Sequence, residues 1–286
     1  MIKILQGNCL DKLKELPDQS INTCITSPPY WNLRDYNEDK QLGMEDTPEE
    51  FVNNLVEVFK EVKRVLRDDG TAWLNLGDSY CGTNHKKEFI DPKYKDGRTG
   101  QKFSLSHKIP GLKSKDLVGI PWRVAFALQE DGWYLRQDII WQKPNAIPES
   151  VRDRCTKAHE YIFLLSKSPK YYFDNEAIKE DSVTSIEQQI KKRNKRSVWT
   201  VSTKPFKGAH FATFPMDLIE PCVLAGCPEN GTVLDPFGGS GTTGIVASNH
   251  NRKAVLIELN AEYIEIAKQR IKDQGGLFTD LEILGG

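Results

Sequence analysis

The stretch Thr232-Val233-Leu234-Asp235-Pro236-Phe237-Gly238-Gly239-Ser240-Gly241-Thr242-Thr243-Gly244 decides the fold. Its first four residues predict a buried strand, its glycines predict a tight turn, and residues 242–248 predict the start of a helix. A glycine-rich turn in this context lets the backbone approach a nucleotide-like ligand closely. The turn lacks Gly-Lys-Ser and Gly-Lys-Thr, which argues against a phosphate-cradling loop. We therefore predict a nucleoside site of a different type.

An acidic residue ends the next predicted strand, at residues 253–258. Glu258 lies 23 positions after Asp235, close to the offset of about 20 at which an acid takes ribose hydroxyls. The turn has no lysine and begins with Asp235, so it suits a cationic ligand better than a pyrophosphate, and S-adenosylmethionine carries a sulfonium and an ammonium. The alternative interpretation is a glycine turn beside a surface glutamate. The predicted cofactor residues of this region are Asp235, Pro236, Phe237, Gly238, Gly239, Ser240, Gly241, Thr242 and Glu258.

Strands alternate with helices along most of the chain. Short apolar runs predict the strands, and apolar positions at helical spacing predict the helices. The predicted strands are 2–5, 23–26, 71–76, 133–141, 160–166, 232–235 and 253–258, and the predicted helices are 47–67, 117–128, 242–248 and 261–272. This alternation implies an α/β fold with a mostly parallel sheet covered on both faces.

A second motif, Thr26-Ser27-Pro28-Pro29-Tyr30-Trp31, follows a predicted strand. Its two prolines fix φ and remove two backbone donors, so the chain must turn rigidly there. The Pro28 carbonyl and the Ser27 hydroxyl offer acceptors to an amino group, and Tyr30 offers a flat face on which a base can stack. Two such acceptors would orient a poorly nucleophilic exocyclic nitrogen for in-line attack on a methyl group. The alternative is a proline turn that closes a core strand.

Two basic stretches stand out in a chain of formal net charge −1. Residues 86–115 carry nine Lys and Arg against three acids, and residues 191–207 carry seven with no acid and with aromatic residues between them. Cations mixed with aromatics suit phosphate contact and base stacking. A solvated face or surface ion pairing is the alternative. The candidate DNA-contacting residues are Arg152, Arg154, Lys191, Lys192, Arg193, Lys195 and Arg196.

The composition is typical of a soluble globular protein, with 38% hydrophobic residues and a mean hydropathy of −0.52. No apolar run approaches the ~20 residues that span a bilayer, and the first residues lack the apolar core of a signal peptide. We expect a cytoplasmic location and no membrane partner. Six cysteines without Cys-x-x-Cys spacing indicate ordinary thiols. Residues 159–163 begin like a zincin helix but lack its second histidine, so we predict no metal site.

On these motifs the sequence resembles the amino-methyltransferases of restriction-modification systems and phages, over nearly the whole chain. That family carries a Ser/Asp/Asn-Pro-Pro-Tyr catalytic motif and a Phe-x-Gly-x-Gly cofactor motif. The matching residues here are Ser27, Pro28, Pro29 and Tyr30 for catalysis, and Phe237 to Gly241 for the cofactor. The catalytic motif precedes the cofactor motif, which is the order of the permuted β group.

The resemblance implies a seven-stranded, Rossmann-like sheet of S-adenosylmethionine-dependent methyltransferases, with DNA-recognition insertions. It implies that Asn8 lies near the cofactor adenine, although the family usually has Gly-Asp where this chain has Gly7-Asn8. It also implies that Thr213 and Phe214 lie against the methionine moiety. Ser27 at the first motif position is similar to cytosine-N4 enzymes, whereas adenine-N6 enzymes usually have Asp. We expect N4 methylation of a flipped-out cytosine, with adenine N6 as the alternative.

The domain division that we expect has six parts. They are a catalytic half (1–80), a basic loop insertion (81–116), a continuation of the catalytic domain (117–175), a target-recognition segment (176–207), a cofactor-binding half (208–275) and a C-terminal tail (276–286). The expected partners are double-stranded DNA and a cognate restriction endonuclease that acts separately, and the sequence leaves a monomer or a homodimer open.

Three rival functions are weighed against this one. An RNA or small-molecule amine methyltransferase could use the same fold, because a fold alone does not set the substrate. A non-catalytic DNA-binding module is disfavoured by the cofactor turn and the Pro-Pro-Tyr turn. A carbon-5 methyltransferase needs a nucleophilic cysteine in a catalytic loop, whereas Pro221-Cys222 falls in a predicted helical segment.

Overall fold

Nine strands form one sheet in the computed structural model, which describes residues 1–32, 41–82, 109, 111–182, 192–204, 214–274 and 280–284. The strands of the sheet are β1 (Ile2–Gln6), β2 (Ile21–Thr26), β3 (Leu66–Leu76), β4 (Tyr134–Gln142), β5 (His159–Ser166), β8 (Val198–Thr200), β9 (Thr232–Asp235), β10 (Lys253–Glu258) and β11 (Leu281–Leu284), while β6 (Glu180–Asp181) and β7 (Lys192–Arg193) pair separately. The order across the sheet is β11-β1-β10-β9-β2-β3-β5-β4-β8. Every neighbouring pair is parallel except the two pairs that involve β5, which is antiparallel to β3 and β4.

All seven predicted strands are present, and two short strands extend the sheet at its edges. One edge strand, β11, lies in the predicted C-terminal tail and pairs with β1. The other, β8, lies in the predicted target-recognition segment and pairs with β4. Strands of three or four residues carry little periodic pattern of their own, and β9 was predicted because the glycine-rich turn follows it. The prediction of a mostly parallel α/β sheet is confirmed.

In the described ranges, six helices cover the two faces of the sheet. They are α1 (Cys9–Lys14), α2 (Pro48–Val65), α3 (Ile120–Glu130), α4 (Met216–Gly226), α5 (Thr242–Asn249) and α6 (Ala261–Gln274). Buried side chains of the first three helices share one core cluster, and those of the last three share the other. Successive side chains of a strand point to opposite faces of the sheet. Ala72 and Trp73 of β3 therefore belong to different core clusters.

The long helix α2 illustrates how local sequence sets an element. The Thr47 side chain accepts a hydrogen bond from the Glu50 backbone N–H at 3.2 Å, and the Glu50 carboxylate accepts one from the Thr47 N–H at 3.3 Å. This reciprocal cap satisfies two backbone donors that the helix cannot pair itself. Pro48 occupies the first turn, where no backbone donor is needed. The predicted helix at 47–67 is confirmed, although the chain enters β3 already at Leu66, whose side chain is fully buried.

The connections after the neighbouring strands β9 and β2 run toward opposite edges of the sheet. The chain passes from β9 through α5 to β10 on one side, and from β2 through α2 to β3 on the other. In open α/β sheets, a crevice forms at the carboxyl ends of the strands at such a switch point and binds the ligand. The glycine-rich turn after β9 and the Pro-Pro-Tyr turn after β2 both lie there.

Some predicted features fall outside the described residues. The basic loop insertion at 81–116 is described only at 81–82, 109 and 111–116, and Lys191 and Thr213 are not described. None of the helices in the described ranges combines the length and the apolar character needed to cross a lipid bilayer.

Candidate active site

The glycine-rich turn is packed tightly against the neighbouring strand. The Gly238 N–H donates to the Ile257 carbonyl at 2.8 Å, and a Cβ at Gly238 would stand 2.9 Å from the Leu256 Cβ. Gly241 has φ of +79° and caps α5, in a conformation that favours glycine. At Gly239, by contrast, the nearest atom to an added Cβ would be 3.8 Å away. The turn therefore fits its own sheet at Gly238 and leaves room for a ligand at Gly239.

Asp235 joins this turn to the strand that carries the Pro-Pro-Tyr motif. Its carboxylate accepts hydrogen bonds of 2.6 Å from the hydroxyls of Thr26 and Thr243 and one of 3.1 Å from the Phe237 N–H. The side chain is 2% exposed, and burial raises its pKa to about 6 despite these three donors. The residue before Ser27 thus contacts the first residue of the cofactor turn directly. Asp235 stays a predicted cofactor residue, and the contacts of its carboxylate observed here are with the protein.

Glu258 lies at the end of β10, beside the same turn. One carboxylate oxygen accepts from the Gly239 N–H and the other from the Asn260 N–H, both at 2.8 Å. Burial is the main cause that raises its pKa to about 7, and the charge of Asp235 adds to it. Two poorly solvated carboxyl groups, of Asp235 and Glu258, therefore flank the turn. A bound cation would offset the cost of burying these two carboxylates, so this pair of acidic groups fits a cationic nucleoside.

Arg270 braces the turn from α6, and the sequence analysis did not identify it. Its guanidinium donates to the Ser240 carbonyl at 2.7 Å, to the Ser240 hydroxyl at 2.5 Å and to the Thr242 hydroxyl at 3.0 Å. Burial lowers the pKa of this guanidinium. The turn is thus held by Asp235 and Glu258 on the sheet side and by Arg270 on the helix side.

We expect Arg270→Met to weaken cofactor binding about threefold to tenfold and to lower the free energy of unfolding by about 1–3 kcal/mol, because three hydrogen bonds to a charged donor are lost. Titration calorimetry and thermal unfolding would measure the two effects. Lys268→Met is the matched control, since Lys268 lies on the same helix and contacts Glu265 at 3.2 Å. Equal affinities of the two variants would contradict this bracing role.

The Pro-Pro-Tyr turn presents Tyr30 at the carboxyl edge of β2 and β3. The Tyr30 hydroxyl donates to the Glu160 carboxylate at 2.6 Å and contacts the Asn75 amide oxygen at 3.3 Å. A Cβ at Gly77 would stand 2.6 Å from the Tyr30 ring, so the ring rests on the bare backbone of that glycine. Within the described part of the chain, the Ser27 side chain makes no hydrogen bond, and its hydroxyl is available to a ligand.

Three polar residues beside this turn were not identified as site residues from the sequence. They are Asn75 at the end of β3, Lys143 just after β4 and Glu160 near the start of β5. Because β5 is antiparallel to its neighbours, its first residues lie at the edge where the parallel strands end. Glu160 drew notice in the sequence only as part of an incomplete zincin pattern. The only available signal was that each residue flanks the end of an apolar run.

The other predicted cofactor residues have contacts of their own. The Asn8 side chain accepts from the backbone N–H groups of Leu10 and Asp11, at 2.9 and 3.4 Å, and caps α1. The preceding Gly7 N–H donates to the Glu258 carbonyl at 3.0 Å, so Asn8 lies next to a residue that is hydrogen-bonded to Glu258. Phe214 is partly buried and packs against the second core cluster.

Most of the predicted DNA-contacting cations are paired. Within the 192–196 stretch, Glu180 is contacted by Arg193 at 3.1 Å and by Arg196 at 2.8 Å, and Asp181 is contacted by Lys192 at 2.8 Å. Acids of β6 therefore offset a stretch that contains none of its own. The other three described cations have different surroundings. Lys195 lies 5.1 Å from the Trp199 ring centroid, and Arg154 lies 3.9 Å from the Tyr80 ring centroid and contacts Glu149. Arg152 is exposed with no ion pair among the described residues.

All six cysteines are free thiols, as expected. Burial raises the pKa of the Cys9 and Cys227 thiols to about 12, and Cys222 lies fully buried inside α4. In the described ranges, no group of three or more His, Cys, Asp or Glu side chains is arranged to hold a metal ion.

Comparison with known proteins identifies the family. The profile of the DNA methylase family, which covers N6 and N4 enzymes, matches residues 21–269. The Type II methyltransferase M.Cfr9I of Citrobacter freundii is 51% identical over 272 residues, covering 95% of this chain and 88% of that protein. The Type II methyltransferase M.SmaI of Serratia marcescens is 51% identical over 272 residues, covering 94% and 90%.

Solved structures share the fold. PvuII DNA methyltransferase (cytosine-N4-specific) superimposes with a TM-score of 0.69 at 22% identity, covering 97% of this chain and 86% of that one. M1.HpyAVI in complex with S-adenosylmethionine gives a TM-score of 0.59 at 19% identity, covering 95% and 99%. The chain belongs to the DNA methylase family. It is a DNA methyltransferase whose cofactor is S-adenosylmethionine, and the resemblance noted in its sequence is confirmed.

Proposed function

We propose that this enzyme is a site-specific methyltransferase that modifies the exocyclic N4 of a cytosine flipped out of duplex DNA. The observation that carries the proposal is the 2.6 Å hydrogen bond between Thr26 and Asp235. It fixes the residue before Ser27 against the first residue of the cofactor turn. The groups proposed to hold the base and those proposed to hold the cofactor therefore share one crevice.

Residues of the glycine-rich turn and of its surroundings are proposed to hold the cofactor. Bound S-adenosylmethionine supplies an electrophilic methyl group on a sulfonium. The Glu258 carboxylate would accept from ribose hydroxyls, the backbone at Gly239 has room for close approach, and Asp235 with Arg270 would keep the turn in shape. Asn8, Thr213 and Phe214 are proposed to line the adenine and methionine ends.

The Ser-Pro-Pro-Tyr turn is proposed to hold the target base. The Ser27 hydroxyl and the Pro28 carbonyl would accept the two amino hydrogens, which encourages a tetrahedral nitrogen with its lone pair aimed at the methyl group. The Tyr30 face would stack on the flipped base. No covalent enzyme intermediate is needed, and the buried Cys222 in α4 is not offered as a nucleophile. Cytosine is preferred over adenine because Ser27 occupies the first motif position.

DNA phosphates are proposed to contact the cations that are least neutralised. Arg152 and Lys195 meet that description better than Lys192, Arg193 and Arg196, which contact acids of β6. Since the relatives are named Type II methyltransferases, we further propose a restriction-modification setting with a separate cognate endonuclease. We also propose that the enzyme associates into a homodimer, which sedimentation measurements would test.

The decisive experiment incubates the purified protein with S-adenosylmethionine and unmethylated genomic DNA. The DNA is then digested to nucleosides, and the methylated product is identified by mass spectrometry. We expect N4-methylcytosine. N6-methyladenine would keep the enzyme class and overturn the interpretation of Ser27, while the absence of any methylated base from the DNA would overturn the proposed substrate.

A further inference from the structure

The Tyr30 hydroxyl is bound to a carboxylate that the proposed transfer reaction does not use. Glu160 accepts from Tyr30 through one oxygen at 2.6 Å, and the Asn75 amide contacts the same oxygen at 3.4 Å. The other Glu160 oxygen accepts from the Lys143 ammonium. Asn75 is itself fixed by a 3.0 Å bond to the Tyr161 carbonyl. The hydroxyl end of the ring is thus tied to an ordered ion pair.

This ion pair is shielded from water and held by the sheet. The side chains of Lys143 and Glu160 are 19% and 15% exposed, so solvent screens their interaction less than on an open surface. The Lys143 ammonium also lies 4.1 Å from the Trp141 ring centroid. Glu160 lies in β5, Lys143 directly follows the paired strand β4, and the Lys143 N–H donates to the Ala158 carbonyl at 2.8 Å. Their separation is therefore set by backbone pairing and not by flexible loops.

The Tyr30 ring is restrained at two places. The Glu160 carboxylate holds its hydroxyl, and the Gly77 backbone lies against its edge carbons, where a Cβ would come within 2.6 Å. A ring fixed at two points loses little conformational entropy when a base stacks on it, so more of the stacking free energy contributes to binding of the base. A phenol that donates to a carboxylate also has a more electron-rich π face, which attracts a positive charge more strongly.

We propose that Glu160, supported by Lys143, is a positioning residue that acts on the target base through Tyr30. It would hold the ring in the stacking orientation and enrich its π face. Methyl transfer uses the nitrogen lone pair to form a carbon–nitrogen bond, while the pair of the broken carbon–sulfur bond stays on sulfur and gives the neutral thioether of S-adenosylhomocysteine. Positive charge therefore moves onto the base until the nitrogen gives its proton to solvent. The stacked ring would then attract the base more strongly in the transition state than in the ground state. The inference rests on the proposed stacking of the base on Tyr30.

Two variants test this inference from opposite ends of the hydrogen bond. Glu160→Gln keeps an acceptor of the same shape but removes the charge, and Tyr30→Phe keeps the ring but removes the hydroxyl. We expect each to lower kcat on duplex DNA about tenfold, a typical loss for one charge-assisted hydrogen bond, with an unchanged Kd for S-adenosylmethionine. The double variant is expected to be no slower than the slower single variant. Glu61→Gln, which removes a carboxylate paired with Arg64 on α2, is the matched control and should retain full activity.

A fluorescent cytosine analogue at the target position gives a readout of ring position. The analogue should be quenched by stacking in the wild-type complex and brighter in Tyr30→Phe and in Glu160→Gln. Unchanged fluorescence with unchanged kcat in both variants would overturn the inference, as would independent, multiplicative losses in the double variant. The wild-type control separates this failure from failure of the proposed function, because a wild-type enzyme that methylates cytosine keeps the function whatever the variants show. Tyr30→Phe leaves the Glu160–Lys143 pair intact, so the test remains decisive even where Glu160→Gln does not fold.

Discussion

Replacement of Tyr30 by alanine is expected to lower kcat by about two to three orders of magnitude, the loss typical of one preorganised catalytic contact. The Kd for S-adenosylmethionine should change less than about threefold, because the two contacts that hold Tyr30, with Glu160 and Gly77, lie outside the glycine-rich turn. Single-turnover kinetics on a duplex substrate and titration calorimetry would measure the two constants separately. A parallel loss in kcat and in cofactor affinity would contradict the assignment of Tyr30 to the base.

Ser27→Ala is the companion to this prediction. Its side chain makes no hydrogen bond in the described structure, so the substitution removes no hydrogen bond within the protein and should leave the free energy of unfolding within about 0.5 kcal/mol. We nevertheless expect a loss of kcat of similar size to that of Tyr30→Ala. A Ser27→Ala enzyme with normal kcat would exclude the hydroxyl as a ligand of the target amino group.

The local patterns in the sequence were enough to predict the parts of the fold that local rules control. The run from Thr232 to Glu258 forms a strand, a glycine turn, a helix and a strand because each step has its own signal within a few residues. The same holds for α2, whose Thr47–Glu50 cap is visible in the sequence. The short helix α1 was missed, because six residues give less than two turns of periodic pattern.

Contacts between distant residues could not be predicted in the same way. The Thr26–Asp235 bond joins positions 209 apart and depends on β2 lying beside β9, which the strand order alone decides. The position of Glu160 at the site depends on β5 being antiparallel, and nothing in the sequence of this eight-residue strand fixes its direction. The cationic stretch near 192–196 contains no acid. Its charge is offset by Glu180 and Asp181 of β6, because β6 pairs with β7.

Glu258 is expected to make cofactor binding strongly dependent on pH. Burial raises the pKa of this carboxyl to about 7, and a bound cation with ribose hydroxyls stabilises its ionised form. Binding therefore releases a proton below pH 7, and the affinity for S-adenosylmethionine should rise by up to about tenfold per pH unit between pH 5 and 7 and then level off. Glu258→Gln should weaken binding at pH 8 and flatten this rise. Asp235, with a pKa of about 6, would account for any slope that remains below pH 6.

The stability of the cofactor-free protein should follow the opposite trend, which makes the assignment to Glu258 testable. A carboxyl whose pKa is raised by folding contributes stability below its unfolded pKa, near 4.5, and this contribution is lost as the pH rises through about 7. The free enzyme should therefore become less stable between pH 5 and 7, while its affinity for the cofactor increases. Thermal unfolding across this range, and calorimetry in two buffers of different ionisation enthalpy, would measure both trends. Removal of the Glu258 carboxyl must change both the pH dependence of cofactor affinity and the pH dependence of stability if this group causes them. If both are unchanged in Glu258→Gln, another residue is the titrating group.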